Sequence, residues 1–212
     1  MTLGEFHQLV SGSLRRGTAQ DTQIPGQTKL AVQWLERNYT MSYMENFRLL
    51  QVVAGDRTIK LPPEKVVKSI KFLRLFGANG YYIPLRMVDP LDLTGIRNAQ
   101  NSSGTALVPT AFWRSGHNLL VLDSVSDVAL NGEAVLYEYS DWPSAPDSKH
   151  PLLDFAADVL QQQTLLFMAA LLRDASMIGA YKALRDEALS TLTRAVDEGN
   201  YGGQSLSMAF SP

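Results

Sequence analysis

The hydrophobic period of this chain changes twice, from about 3.6 residues to two and back again, and that alone restricts the fold to helices at both ends with strands between. Near the start, Leu3, Phe6, Leu9 or Val10, and Leu14 recur at helical spacing. Thr2 stands three residues before Glu5, a capping box in which each side chain satisfies a backbone donor of the other. Gly17 is placed to end this helix, and the polar run from Gly17 to Gly26, with Pro25, reads as a loop. A second helix is expected from about Gln27, with Leu30, Ala31, Trp34, Leu35 and Asn38 on one face, fading between Tyr39 and Tyr43.

After Met44 the alternation becomes that of a strand. Phe47, Leu49, Gln51 and Val53 lie on one side of it, and Gly55-Asp56 makes a turn before Thr58–Leu61. Lys65–Phe76 and Tyr81–Ile83 read as a hairpin across Gly77–Gly80, which contains an Asn-Gly pair. Further strands are expected over Thr110–Arg114, Asn118–Asp123 and Glu133–Tyr139, with a second Asn-Gly, Asn131-Gly132, just before the last. The small polar run Gly95–Gly104 reads as a loop.

Helical spacing returns at His150-Pro151. Leu153, Ala156, Ala157, Leu160, Thr164, Phe167 and Leu171 form one long stripe, and a last helix carries Ile178, Tyr181, Leu184, Ala188, Leu192 and Ala195 up to Gly199. A short joint at Arg173–Ala175 makes these two helices antiparallel. The expected fold is therefore α+β: a helical bundle from residues 1–44 and 148–200, closed by a long C-terminal helical hairpin, with an antiparallel β domain inserted over 45–147. Trp34, Leu160, Phe167 and Leu171 are the expected packing residues of the bundle. Residues 201–212 form an extended tail without a charged residue. Gly199, Gly202 and Gly203 give it a hinge, and Leu206, Met208 and Phe210 alternate with small residues as on one face of a strand. Together with a penultimate helix apolar most of the way round, this tail points to an oligomer, in which it would clamp a neighbour.

Composition narrows the function by exclusion. With 19 basic and 21 acidic residues there is no overall positive excess for a nucleic-acid backbone. Cysteine is absent, so disulfides, thiolate metal sites and a Cys nucleophile are out. The longest apolar run, Leu165–Leu172, is far below the roughly 20 residues of a membrane span. His7, His117 and His150 lack the spacing of metal ligands, and no phosphate-binding or nucleophile-elbow motif occurs, so neither metal nor cofactor is expected. Among carboxylates, Asp123 with Asp127, Asp154 with Asp158, and Asp186 with Glu187 are the pairs to weigh, and each reads as structural or solvated. No catalytic residue is assigned. The basic residues Lys65, Lys68, Lys71 and Arg74 read as solvated.

Several local patterns resemble one known family. They are Ala31–Asn38 in the early helix, Thr58–Pro62 closing a first hairpin, Leu130–Tyr139 followed by Pro143, His150–Ala157, and Ala180–Leu189. The order of parts and these segments resemble the head-to-tail adaptor, or connector, proteins of tailed bacteriophages, over nearly the whole chain. The resemblance implies a structural virion protein at the head–tail interface, made in the host cytoplasm. It implies a closed ring of about twelve copies beneath the portal protein. Such a ring extends the channel for double-stranded DNA, without sequence-specific binding, and offers the attachment site for a nozzle or tail-tube protein. It brings no catalytic residues and no membrane. Two other readings make different demands. A host- or sugar-binding β module needs Tyr81, Tyr82 and Trp113 exposed together, and a carboxylate-dependent hydrolase needs two of the acids to converge.

Overall fold

The computed structural model describes residues 1–14, 18–77, 80–91 and 108–201. The fold is α+β. The chain divides into two compact units, one of Met1–Ser42 with the chain from Asp141 on, the other of Tyr43–Ser140. The expected loop Gly95–Gly104, the stop at Gly17 and the tail residues Gly202, Gly203, Leu206, Met208 and Phe210 lie outside the described residues.

In the first unit, α1 runs over Leu3–Leu14 and buries Leu3, Phe6, Val10 and Leu14, with Leu9 exposed. The capping box forms as read: Thr2 N donates to Glu5 Oε2 at 2.8 Å, and Glu5 N donates to Thr2 Oγ1 at 3.3 Å. The bond from Thr2 N, helped by the Thr2 hydroxyl, holds the Glu5 carboxyl below its ordinary pKa. The next two orphan donors of the helix, Leu3 N and Gly4 N, reach the carbonyls of Ser148 and Pro146.

The expected loop before the second helix is shorter than the sequence suggested. Thr18–Gln23 makes a 3-10 turn, and α2 spans Ile24–Asn38. Pro25 does not break this helix because it sits in the first turn, where a missing N–H costs nothing. The buried face is also rotated from the expected one: Ile24, Thr28, Ala31, Val32 and Leu35 are buried, while Leu30 and Asn38 are exposed.

The long C-terminal stripe is two helices and not one. α3 covers Pro151–Phe155 and α4 covers Ala157–Leu171, separated by Ala156 at φ −141, ψ 32. Nothing in the local sequence explains the break, since Ala is the strongest helix former. α4 buries Val159, Leu160, Gln163, Thr164, Leu165, Met168 and Ala169, and it packs against α1, α2 and α5. Arg173 then takes a left-handed conformation (φ 55), with Arg173 N bonded to Ala170 O and Asp174 N to Ala169 O, a Schellman stop built without glycine. α5 spans Ala175–Tyr201, so Gly199 does not end the helix but lies within it.

The second unit holds two four-stranded sheets. Sheet A has the order β1-β8-β3-β4, from β1 (Glu45–Val52), β8 (Leu130–Glu138), β3 (Val67–Phe76) and β4 (Tyr82–Pro84). Sheet B has the order β2-β7-β6-β5, from β2 (Thr58–Lys60), β7 (Leu119–Leu122), β6 (Ala111–Arg114) and β5 (Arg86–Met87). Leu50, Val52, Leu73, Leu75, Ala134 and Leu136 of sheet A share one core with Ile59, Phe112, Leu120 and Leu122 of sheet B.

Three expectations are corrected here. β1 and β2 are not a hairpin: Asp56 Oδ1 accepts from Thr58 N and Oγ1, and β2 pairs instead with β7 in the other sheet. The insert is not wholly antiparallel, because β5 and β6 pair in parallel. Asn131-Gly132 is no turn; it lies inside β8 between β1 and β3. A Cβ on Gly132 would sit 2.7 Å from Leu75 Cδ2 and 2.8 Å from the Arg74 carbonyl oxygen, so the glycine is there for close approach. The β3–β4 hairpin forms where expected, with Phe76 opposite Tyr82.

Candidate assembly face

Alternation decides which side chains of sheet A turn away from the core. Because Leu50 and Val52 point inward, Phe47, Leu49 and Gln51 point outward, and the register carries that parity to Glu133, Val135 and Tyr137 on β8 and to Phe72 and Arg74 on β3. Phe47 and Phe72 flank Val135 in one row across three strands. Val135 is only 7% exposed, whereas Phe47 is 57%, Phe72 40% and Leu49 76% exposed. Tyr82 of β4, 57% exposed, extends the patch beside Phe76, ring centroids 5.3 Å apart.

The charges on this face are satisfied within it. Arg74 pairs with Glu133 and stacks its guanidinium 4.1 Å from the Tyr82 ring and 5.5 Å from Phe72. Lys71 Nζ meets Glu45 Oε2 at 2.8 Å, a bond that raises the lysine pKa. Aromatic rings with a stacked arginine, few free charges and contiguous apolar area are the composition of protein–protein contact centres. On the opposite side of the sheet, Arg48 forms a two-pronged pair with Glu138 at 2.9 and 2.8 Å, which raises the arginine pKa.

The sequence-derived packing residues scatter more than expected. Leu160 is fully buried, Trp34 and Phe167 are half-buried, and Leu171 is 49% exposed at the end of α4. What covers Trp34 is the guanidinium of Arg185 on α5, 5.0 Å from the ring, and Arg185 also donates to Gln163 Oε1 on α4. Sequence reading missed Arg185, whose role is visible only once α2, α4 and α5 are placed together.

The chemistry named by the rival readings does not converge. Asp123 is buried and accepts from Thr110 N and Oγ1, a structural tie. Asp154 is exposed and meets the Met1 amino group at 3.0 Å. Tyr82 stands on the outer face of sheet A, while Trp113 lies on the outer face of sheet B under Arg57, so the two rings cannot share a platform. One further trio was not visible in the sequence: His7, Ser11 and Asp21 line a cleft of the helical unit. Their order is wrong for nucleophile activation, since Ser11 Oγ donates directly to Asp21 Oδ1 at 2.6 Å and the buried His7 Nε2 has no partner among the described residues. No cluster of potential metal ligands occurs among the described residues, and no described helix is long and apolar enough to cross a membrane.

A solvent-facing aromatic patch without a reactive constellation directs attention to assembly. The model of the SU10 adaptor protein family matches residues 1–207, almost the full length. The chain belongs to the SU10 adaptor protein family. No curated protein sequence matches it. Family membership makes the chain a phage structural adaptor and a virion component, the class that the sequence resembles.

Proposed function

We propose that this SU10-family adaptor is a ring-forming subunit of the head–tail interface, and that the outer face of sheet A is buried when the ring assembles. The observation that carries the reading is the exposed row of Phe47, Leu49, Phe72 and Tyr82, with its charges already paired. A monomer has no use for such a patch, and an adaptor subunit has several partners to cover it.

In this reading copies of the chain close a ring, about twelve-fold, beneath the portal protein. The ring prolongs the DNA channel without reading sequence and presents the attachment site for a nozzle or tail-tube protein. The helical unit, residues 1–44 with 148–200, serves as a bundle in which α4 and α5 act as a hairpin, and the inserted unit, residues 45–147, carries the contact face. Residues 201–212 work as an arm, hinged at Gly202 and Gly203 and anchored by Leu206, Met208 and Phe210. Work is done by packing and not by catalysis, after synthesis in the host cytoplasm.

The test is negative-stain microscopy of the purified chain mixed with its portal protein. Added density in a ring at one end of the portal is expected. Portal particles identical with and without the chain, at concentrations well above micromolar, would refute the reading.

A further inference from the structure

The outer face of sheet A ends in an open edge. β1 is the outermost strand of its sheet and pairs with β8 alone among the described residues. It runs for eight residues, without proline, and its register with β8 has no bulge. Proteins blunt such edges with prolines, bulges or charged side chains, because an open edge recruits strands. The only charges on β1 are Glu45 and Arg48, and both are occupied, by Lys71 and Glu138. Among the described residues the far side of β1 faces no strand, so an incoming strand meets open backbone beside Phe47 and Leu49 and charges that are already paired.

A strand suited to that edge carries no charge and alternates large with small residues. Residues 204–211 fit on both counts: Leu206, Met208 and Phe210 alternate with Ser205, Ser207, Ala209 and Ser211, and no charged residue occurs from Tyr201 to Pro212. A charged arm would lose solvation at this edge without finding a partner; this one has nothing to lose. Its length also matches, since an eight-residue strand covers about 26 Å.

We propose that residues 204–211 of one copy add as a strand to the β1 edge of a second copy, with Leu206, Met208 and Phe210 laid beside Phe47 and Leu49. The inference rests on the adaptor reading above and names the contact within it. Each copy then gives one arm and offers one edge. Run head-to-tail from copy to copy, such a contact builds the ring of the adaptor reading where the rotation between copies closes.

The chain has no cysteine, so an engineered pair reports one contact only. The double variant L49C/M208C is bound to portal, oxidised with copper phenanthroline and run on a non-reducing denaturing gel. A ladder of covalent oligomers is expected. It should exceed by about tenfold the yield of L49C/S207C, where the second thiol points to the opposite side of the arm and misses disulfide geometry. A monomer linked within itself, a link from M208C to the portal, or normal incorporation with no ladder each overturns strand addition and leaves the adaptor reading intact. Failure of the unmodified chain to bind portal overturns both. Should L49C/M208C fold poorly, the pair F47C/F210C must give the same ladder, and its absence overturns the proposal.

Discussion

Replacing Phe47 and Leu49 together by threonine separates the stability of the subunit from its assembly. Threonine keeps the strand preference of β1 while removing the apolar bulk. Both side chains turn away from the core and are mostly exposed, so the isolated chain should lose only about 1–2 kcal/mol of stability, the share of their burial already made in the free subunit. Assembly is a different matter. Fully burying a Phe or Leu side chain stabilises by about 1.5–3 kcal/mol. With Phe47 57% and Leu49 76% exposed, the part still available amounts to about 2–4 kcal/mol for the pair. That corresponds to a loss of roughly 30- to 700-fold in affinity per contact, before any saving in side-chain ordering. The assay is a titration of F47T/L49T against portal by sedimentation, beside urea unfolding of the free subunit. A variant that folds normally and binds within threefold of the unmodified chain would refute the assignment of this face.

Three further outcomes test the structure itself. Gly132→Ala should cost about 1–3 kcal/mol by overpacking, and most of that cost should persist in a Leu75→Val background, because the Arg74 carbonyl cannot move away as a side-chain end can; equal urea midpoints for G132A and the unmodified chain would remove the close approach. Arg173→Gly should stabilise by about 0.5–1 kcal/mol, since the left-handed backbone costs arginine more than glycine's extra freedom returns; a lowered melting temperature would contradict this. His150 accepts from Leu152 N through Nδ1 and packs its ring at a tilt against Trp142, and burial lowers its pKa from the ordinary 6.5. The folded state therefore favours the neutral ring, so its contribution is complete above pH 6.5 and lost as pH falls below that value. The melting temperature should drop between pH 7 and 5, and His150→Asn, which can still cap α3, should flatten the slope and leave only the share of His7, whose pKa burial also lowers. An unchanged slope in H150N would rule His150 out as the source.

Much of the local structure was legible because its signals are local. The Thr2–Glu5 capping box and the hairpin across Gly77–Gly80 depend on residues a few positions apart, and both formed as read. The adaptor family was legible too, since its patterns are spread along the chain and survive without knowing how they pack.

Tertiary structure decided what local pattern leaves degenerate. β1 carries apolar residues on both faces, so its alternation fixes a strand but not which side is core; pairing with β8 sent Leu50 and Val52 inward and left Phe47 and Leu49 outside. Asn131-Gly132 has the chemistry of a turn, yet a position between two strands, with Leu75 and the Arg74 carbonyl pressing on it, makes Gly132 the residue that fits a strand interior. The stripe from Leu153 to Leu171 is one helix by period, but in the folded chain it breaks at Ala156 against that residue's own preference. The sequence by itself determined most of the elements, their order and the family, because those follow from spacing along the chain. Which faces are buried and which stay open for a partner was settled only by the sheet and helix neighbours, because burial belongs to contacts between segments far apart in sequence.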